Sequence, residues 1–356
     1  MARRRPPPKS GGGPNEMTMP FGEICGQDRA VLLLRRAWAG GRLAQAYCFA
    51  GPPGAGKRTT ALALAQAVNC LAPATEGPAP DACGTCRSCR RIAAGQHPDV
   101  ILVTPQEKTV ITIEQVRDLA ARANLRAYEG NVKVWILDPA DQMQEPAANA
   151  FLKTLEEPAG RSLFILVTTA FTALLATIRS RCQEVRFDPV GDEALRTILM
   201  RHGRGAEDVA ALLPLAGGNV ERALGLDVVE ERARQERVVA ETWGALGSVP
   251  ALLEQAERIG KDRATLEAAL EILLGFTRDL AVFRVGGASR QLFPADRLAA
   301  GGRAAAGIPL SATLKIHEAQ AEARRRLAVN AQPRFTAERM LLKMREAMGE
   351  KVGGPV

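Results

Sequence analysis

The chain has 356 residues, 46% hydrophobic and 24% charged, the composition of a soluble globular protein with room for two or three domains, which excludes disorder as the main state. Aromatics are only 4%, so the core has to come from Leu, Ala, Val and Ile, which long amphipathic helices build economically. The net charge of +8 is compatible with a nucleic-acid partner without requiring one, and with 38 Arg against 9 Lys a single Arg says little outside a motif.

Residues 1–16 carry Arg3, Arg4, Arg5 and Lys9 against Glu16 alone, with Pro6, Pro7, Pro8 and three glycines among them, and are expected to form a disordered basic arm. No apolar run follows the basic residues, so no secretory signal is expected. The longest uncharged stretch, between Arg161 and Arg179, holds four threonines and reads as a buried strand, a turn and a short helix. A cytoplasmic protein with no membrane partner is the expectation.

Beyond the arm, periodicity predicts a helix over 27–39, a strand over 46–50, a helix over 59–70 and a Pro- and Cys-rich insertion over 72–91. Strands at 99–104, 132–137 and 163–168 then alternate with helices at 113–124 and 144–155. Apolar runs without polar alternation, separated by helices, predict an α/β core: a parallel sheet covered on both faces. From about Asp188 onward no strand is expected. Two helical domains fit there, with a turn at Gly217-Gly218-Asn219, a long helix over 262–284 and a turn at Asn330 to Pro333.

Gly51-Pro52-Pro53-Gly54-Ala55-Gly56-Lys57 follows a predicted strand and opens a helix, the setting of a phosphate-binding P-loop. The next residue should be a hydroxyl that ligates Mg²⁺, but Arg58 stands there, with Thr59 about 100° further round the helix. Val134-Trp135-Ile136-Leu137-Asp138 supplies the acidic strand end. Pro139 follows where a water-polarising Glu would be, and Asp141 belongs to a different face of the turn. Both departures remove parts of a hydrolytic site, so the reading is a degraded ATPase with Gly51, Gly54, Gly56, Lys57, Thr59 and Asp138 as candidate nucleotide-site residues. The residues leave open whether ATP is held there without turnover.

Seven cysteines in a chain with no export signal argue against a disulfide framework. Cys83-x-x-Cys86-x-x-Cys89 brings three thiolates together, and Cys70, at the end of the preceding helix, is the fourth for a structural Zn²⁺. His97 is a rival for one of these places. Cys25, Cys48 and Cys182 read as packed thiols. A zinc DNA-binding protein fits poorly, because no base-reading helix follows the cluster.

Phe21-Gly22-Glu23-Ile24 with Gly26-Gln27, the glycine loop, Asn149 to Pro158 with its Leu-Glu-Glu-Pro end, and Thr177-Ile178-Arg179-Ser180-Arg181-Cys182 together resemble the AAA+ subunits of bacterial DNA polymerase III sliding-clamp loaders over most of residues 20–187. Asn330-Ala331-Gln332-Pro333-Arg334 resembles the turn of that family's last domain, and Gly217 to Leu224 its lid segment, with Arg222 as a nucleotide sensor. The resemblance implies a P-loop AAA+ core over 17–187 with a zinc insertion over 70–91, a helical lid over 188–246 and an all-α collar over 247–350. It also makes Arg181 an arginine finger, catalytic in trans in a neighbour's ATP site.

The function it implies is a non-hydrolysing subunit of a hetero-pentamer with delta and gamma/tau partners, acting on the sliding clamp and primer-template DNA within the polymerase holoenzyme. The alternative is an ATP-hydrolysing gamma/tau-type motor or another DNA-dependent AAA+ ATPase.

Overall fold

The computed structural model describes residues 19–75, 79–105, 110–123, 125–157, 160–285 and 308–349. The basic arm expected over 1–16 lies outside the described residues. The chain divides into two compact units, one ending at Gly225 and the other beginning at Leu226.

In the first unit, β1 (Ala46–Ala50), β2 (Val100–Val103), β3 (Lys133–Leu137), β4 (Ser162–Thr168) and β5 (Gln183–Arg186) form one sheet in the order β2-β3-β4-β1-β5. Every neighbouring pair is parallel, so each strand returns through a crossover. α1 (Asp28–Ala39) precedes β1, and the crossovers carry α2 (Lys57–Asn69), α3 (Arg87–Ala93), α4 (Ile113–Ala123), α5 (Glu145–Glu156) and the short α6 (Ala176–Arg179).

Successive strand residues serve opposite faces, and both faces are dry. Tyr47, Phe49, Val134, Ile136 and Ile165 pack with Leu34 of α1 and Leu64 of α2. Cys48, Trp135, Leu137, Phe164 and Leu166 pack with Val116 and Leu119 of α4 and Phe151 of α5. Covering on both sides is the physical reason that these strands lack polar alternation. The strand β5 was not expected from the sequence, because only Val185 of its four residues is buried. Its place in the sheet comes from pairing with β1, from Tyr47 opposite Gln183 to Ala50 opposite Arg186.

Two buried polar side chains shape the approach to β3. Asp99 accepts hydrogen bonds from the amides of Tyr128, Glu129 and Gly130 at 2.7–2.8 Å. Asn69, at the end of α2, accepts from the amides of Asn131 and Val132 and donates to Val132 O. Burial would raise the Asp99 carboxyl, but the three amides and the nearby His97 hold it below the usual range.

The first unit ends with α7 (Asp192–Arg201), α8 (Ala206–Ala216) and α9 (Val220–Gly225). Gly217 and Gly218 turn the chain between α8 and α9 with φ of 57° and 83°. A Cβ on Gly218 would lie 2.8 Å from Pro189 Cβ and 2.9 Å from Val190 O, so the turn presses on the exit from the sheet.

The second unit contains α10 (Val228–Ala245), α11 (Val249–Ile259), α12 (Arg263–Arg284), α13 (Leu310–Ala328) and α14 (Pro333–Gly349). Leu266, Leu270, Leu273 and Leu274 of α12 are all buried, as their spacing requires. Val239 and Trp243 of α10 share this core with Leu252, Phe276, Ile316 and Leu341. Trp243 meets Phe276 edge-on at a centroid distance of 5.1 Å. The turn before α14 is made by Asn330 at φ 61°, whose side chain accepts from Arg263 at 2.9 Å. No described helix is long and apolar enough to cross a membrane.

Candidate nucleotide site, metal centre and exposed arginine

The glycine loop joins the carboxyl end of β1 to the amino end of α2, where a helix directs its first-turn amides and the positive end of its dipole outward. Gly54 and Gly56 take φ of 69° and 84°, which lets the loop close on itself. Lys57 is buried and donates to Gly51 O and Pro52 O, both at 2.6 Å, bracing the loop. Burial lowers its pKa, while Asp138 and Asp141 act in the opposite direction. Gly54 is also where the α8–α9 segment arrives. Val220 N donates to Gly54 O at 3.0 Å, and a Cβ on Gly54 would run into the Asn219 side chain.

A cavity of about 1100 Å³ opens above the loop. Gly54 to Thr59 form its polar end, with Asp138, Pro139 and Thr168 from the sheet. Pro20, Ile24, Val190, Ile198 and Leu224 supply apolar wall, and Arg201 and His202 lie beside them. A polar, amide-rich end and an apolar end in one cleft suit a nucleotide's phosphates and base. Sequence reading found the polar end but missed the apolar one, whose residues come from the amino-terminal segment, α7 and α9. Arg222 is not among the residues lining the cavity; Val220, Glu221 and Leu224 are.

Arg58 is paired, Nε to Oδ2, with Asp138 at the end of β3. The residue in the place of the Mg²⁺ hydroxyl therefore bonds the carboxylate in the place of the Mg²⁺ ligand. Thr59 lines the cavity as well, but Asp138 is engaged by Arg58. Asp141 is not a lining residue and instead accepts from Thr169 Oγ1 at 3.3 Å. The remaining lining carboxylates are Glu23, in the amino-terminal segment, and Glu221, on α9.

The Sγ atoms of Cys70, Cys83, Cys86 and Cys89 all lie within 4.8 Å of one another, and this cluster could hold a metal ion. Tetrahedral thiolate ligands at about 2.3 Å from a metal stand roughly 3.8 Å apart, close to the 3.5 Å between Cys70 and Cys83. Backbone amides point at the sulfurs: Cys83 N at Cys70, Cys86 N at Cys83 and Cys89 N at Cys86, at 3.3–3.4 Å. Burial acts to raise the Cys83 thiol, but amide bonds from Thr85 and Cys86 and the Cys70 thiol bring it down to about 6. Burial raises Cys70 and Cys89. His97 is outside the cluster; its Nδ1 accepts from Asp99 N at 3.2 Å, so the four-cysteine set stands without it.

The cluster is tied to the rest of the unit at three places. Gln66 of α2 donates to Cys89 O at 3.0 Å, and Arg35 of α1 donates to Ala79 O and Pro80 O. Asp81 accepts from the amides of Phe21 and Gly22 at 3.1 and 2.7 Å. Cys83, Gly84, Thr85 and Arg90 also line the cavity, so the cysteine-rich segment forms part of its wall.

Arg181 follows α6, which is anchored by buried Ile178 and by Arg179 over the Phe171 ring at 5.7 Å. Its guanidinium donates to Thr177 O at 2.9 Å, to Ser180 Oγ at 3.3 Å and to Glu156 Oε1 at 2.6 Å. The side chain is 36% accessible. Glu156, at the end of α5, is a partner that the sequence reading did not identify.

The comparisons with known proteins fit this geometry. The family signature described as DNA polymerase III, delta subunit, matches residues 26–191. The delta' subunit of DNA polymerase III from Bacillus subtilis (strain 168) is 32% identical over 272 residues, 75% of this chain and 80% of that protein. The chain belongs to the DNA polymerase III delta' family. A delta' subunit from Pseudomonas aeruginosa is 40% identical over 203 residues, and that match spans 55% of this chain and 61% of the relative. The tau subunit of Escherichia coli (strain K12) is 34% identical over 176 residues, 49% of this chain and 26% of its own length. A solved DNA polymerase III gamma-subunit-related protein from Thermotoga maritima is 19% identical, with a TM-score of 0.42 over 90% of this chain and 100% of that one, too loose a match to carry an argument.

Proposed function

We propose that this delta' family member is a non-hydrolysing subunit of the DNA polymerase III clamp loader, which completes a neighbour's ATP site through Arg181 and helps place the sliding clamp on primed DNA. The observation that carries the reading is the Arg58–Asp138 ion pair, with Pro139 next in sequence. In a hydrolysing site a carboxylate must be available to a metal and another group must orient water. Here Asp138 is spent on Arg58, and proline accepts no proton. Arg181 stands accessible on a helix end, where a planar guanidinium can reach a second chain.

In this reading, nucleotide is held by the amides of Gly54 to Arg58 and by Lys57, with its base against Ile24, Ile198 and Leu224. Gly51 accepts from Lys57 and keeps the loop in shape. The ion at Cys70, Cys83, Cys86 and Cys89 is assigned as Zn²⁺ by its thiolate set, and with four protein ligands its role is structural. The core over 17–187, the lid over 188–246 and the collar over 247–350 are the corresponding domain assignments. The similarity to tau supports a second reading, an ATP-hydrolysing motor, and that reading requires Arg58 to leave Asp138.

The test is reconstitution. The chain is mixed with delta and gamma/tau-type subunits, and clamp loading onto primed DNA is followed. The expected result is a single complex containing this chain, with loading lost when it is omitted. Loading at an unchanged rate without it would remove the proposal.

A further inference from the structure

We propose that the cavity takes its nucleoside di- or triphosphate free of divalent metal, with the Arg58 guanidinium serving in the place where the fold would put the cation. This rests on the reading of the cavity as a nucleotide site. The fold implies Mg²⁺ here, and the residues present do not fit it. Mg²⁺ requires near-ideal octahedral oxygen coordination at about 2.0–2.1 Å and uses carboxylate and hydroxyl ligands. The hydroxyl position is Arg58, and the one carboxylate at the strand end, Asp138, is paired with that same Arg58. A divalent ion at Asp138 would have to displace the guanidinium and then sit beside a fixed positive charge.

The same pair leaves the polar end of the cavity well suited to phosphate. Arg58 and Lys57 are consecutive on the first turn of α2 and both line the cleft, so two cations against the single carboxylate of Asp138, together with the helix amides, surround one volume and leave it net positive. The Arg58 guanidinium is charged at every working pH and lines the cleft beside the loop amides, held at the strand end by its Nε bond to Asp138. Asp138 then fixes the fork, as a carboxylate does for any oriented guanidinium. The ligand favoured by this arrangement keeps its own phosphate charge uncompensated by metal, and magnesium in solution competes for the ligand.

The test measures binding of ADP and of a non-hydrolysable ATP analogue to the full chain by calorimetry, in EDTA and in millimolar magnesium, with turnover of ATP followed in the same preparations. Wild-type affinity in EDTA is expected to equal or exceed that in magnesium, and Lys57→Ala should abolish binding in both. Arg58→Thr, which frees Asp138 and restores a hydroxyl, should lose affinity in EDTA and gain about tenfold on adding magnesium. Magnesium raising wild-type affinity about tenfold or more would overturn the inference, as would an absence of nucleotide binding in both conditions. Turnover is a separate readout: hydrolysis would count against the proposed function, whereas magnesium-dependent binding without hydrolysis would overturn this inference alone.

Discussion

Arg181→Ala is expected, on the proposed function, to slow hydrolysis by about 10³ to 10⁵ at the neighbouring ATP site, while leaving this chain's own fold and the assembly intact. The size follows from what a guanidinium delivered in trans does to charge developing on a transferring phosphoryl group, roughly 4–7 kcal/mol of transition-state stabilisation. The folding effect is small because Arg181 is partly exposed and its pairing with Glu156 is a surface ion pair, worth about 0–1 kcal/mol. Arg181→Lys should rescue little, since a point charge does not reproduce the planar fork. Single-turnover ATP hydrolysis by the reconstituted complex, with gel filtration as the control for assembly, checks this. A complex that assembles with Arg181→Ala and keeps every site at the wild-type rate means Arg181 is not a finger.

The second large effect concerns the metal. Protein purified without chelator should contain one Zn²⁺ per chain, and Cys86→Ser should release it. In the cysteine-rich segment, among the described residues, Ala82 is the one non-cysteine side chain packed within the sulfur cluster. Without the ion, this segment can keep Asp81 on the Phe21 and Gly22 amides only by its own folding. Removal should cost roughly 3 kcal/mol or more, which for a unit of this size is a fall of about 6–12 °C in Tm. Because Cys83, Gly84 and Thr85 form cavity wall, nucleotide affinity should weaken alongside. Metal analysis and calorimetry of the purified protein check both parts. A chain free of zinc, or an unchanged Tm in Cys86→Ser, contradicts the assignment.

Much of the catalytic-type constellation was legible because each part is local in sequence. The loop from Gly51 to Lys57 lies between a strand and a helix, Asp138 ends an apolar run, and Cys83, Cys86 and Cys89 recur every three residues; the buried strands β1, β3 and β4, the less buried β2 and their helices follow from the same local patterns. What was not legible depends on contacts between distant residues. Arg58 and Asp138 are 80 positions apart, so the sequence showed an Arg in the hydroxyl's place but not that it bonds the acidic strand end. Glu156 meets Arg181 from a different helix in the same way. The apolar wall draws Pro20 and Ile24 from one end of the unit and Ile198 and Leu224 from the other, and nothing local in the sequence says that these distant residues face one cleft. The strand β5 carries a single buried side chain, too weak a periodic signal to find. Helix α10 lies within the 188–246 stretch, and its buried Val239 and Trp243 pack in the core of the second unit.

The central claim is that this chain keeps a nucleotide-type site without turning nucleotide over, and steady-state ATP turnover by the purified chain, compared with its Lys57→Ala variant in the presence of magnesium, tests it most directly. The account predicts the same background rate for both, because Asp138 is held by Arg58 and Pro139 orients no water. A steady rate in the wild-type chain that disappears in Lys57→Ala would contradict it.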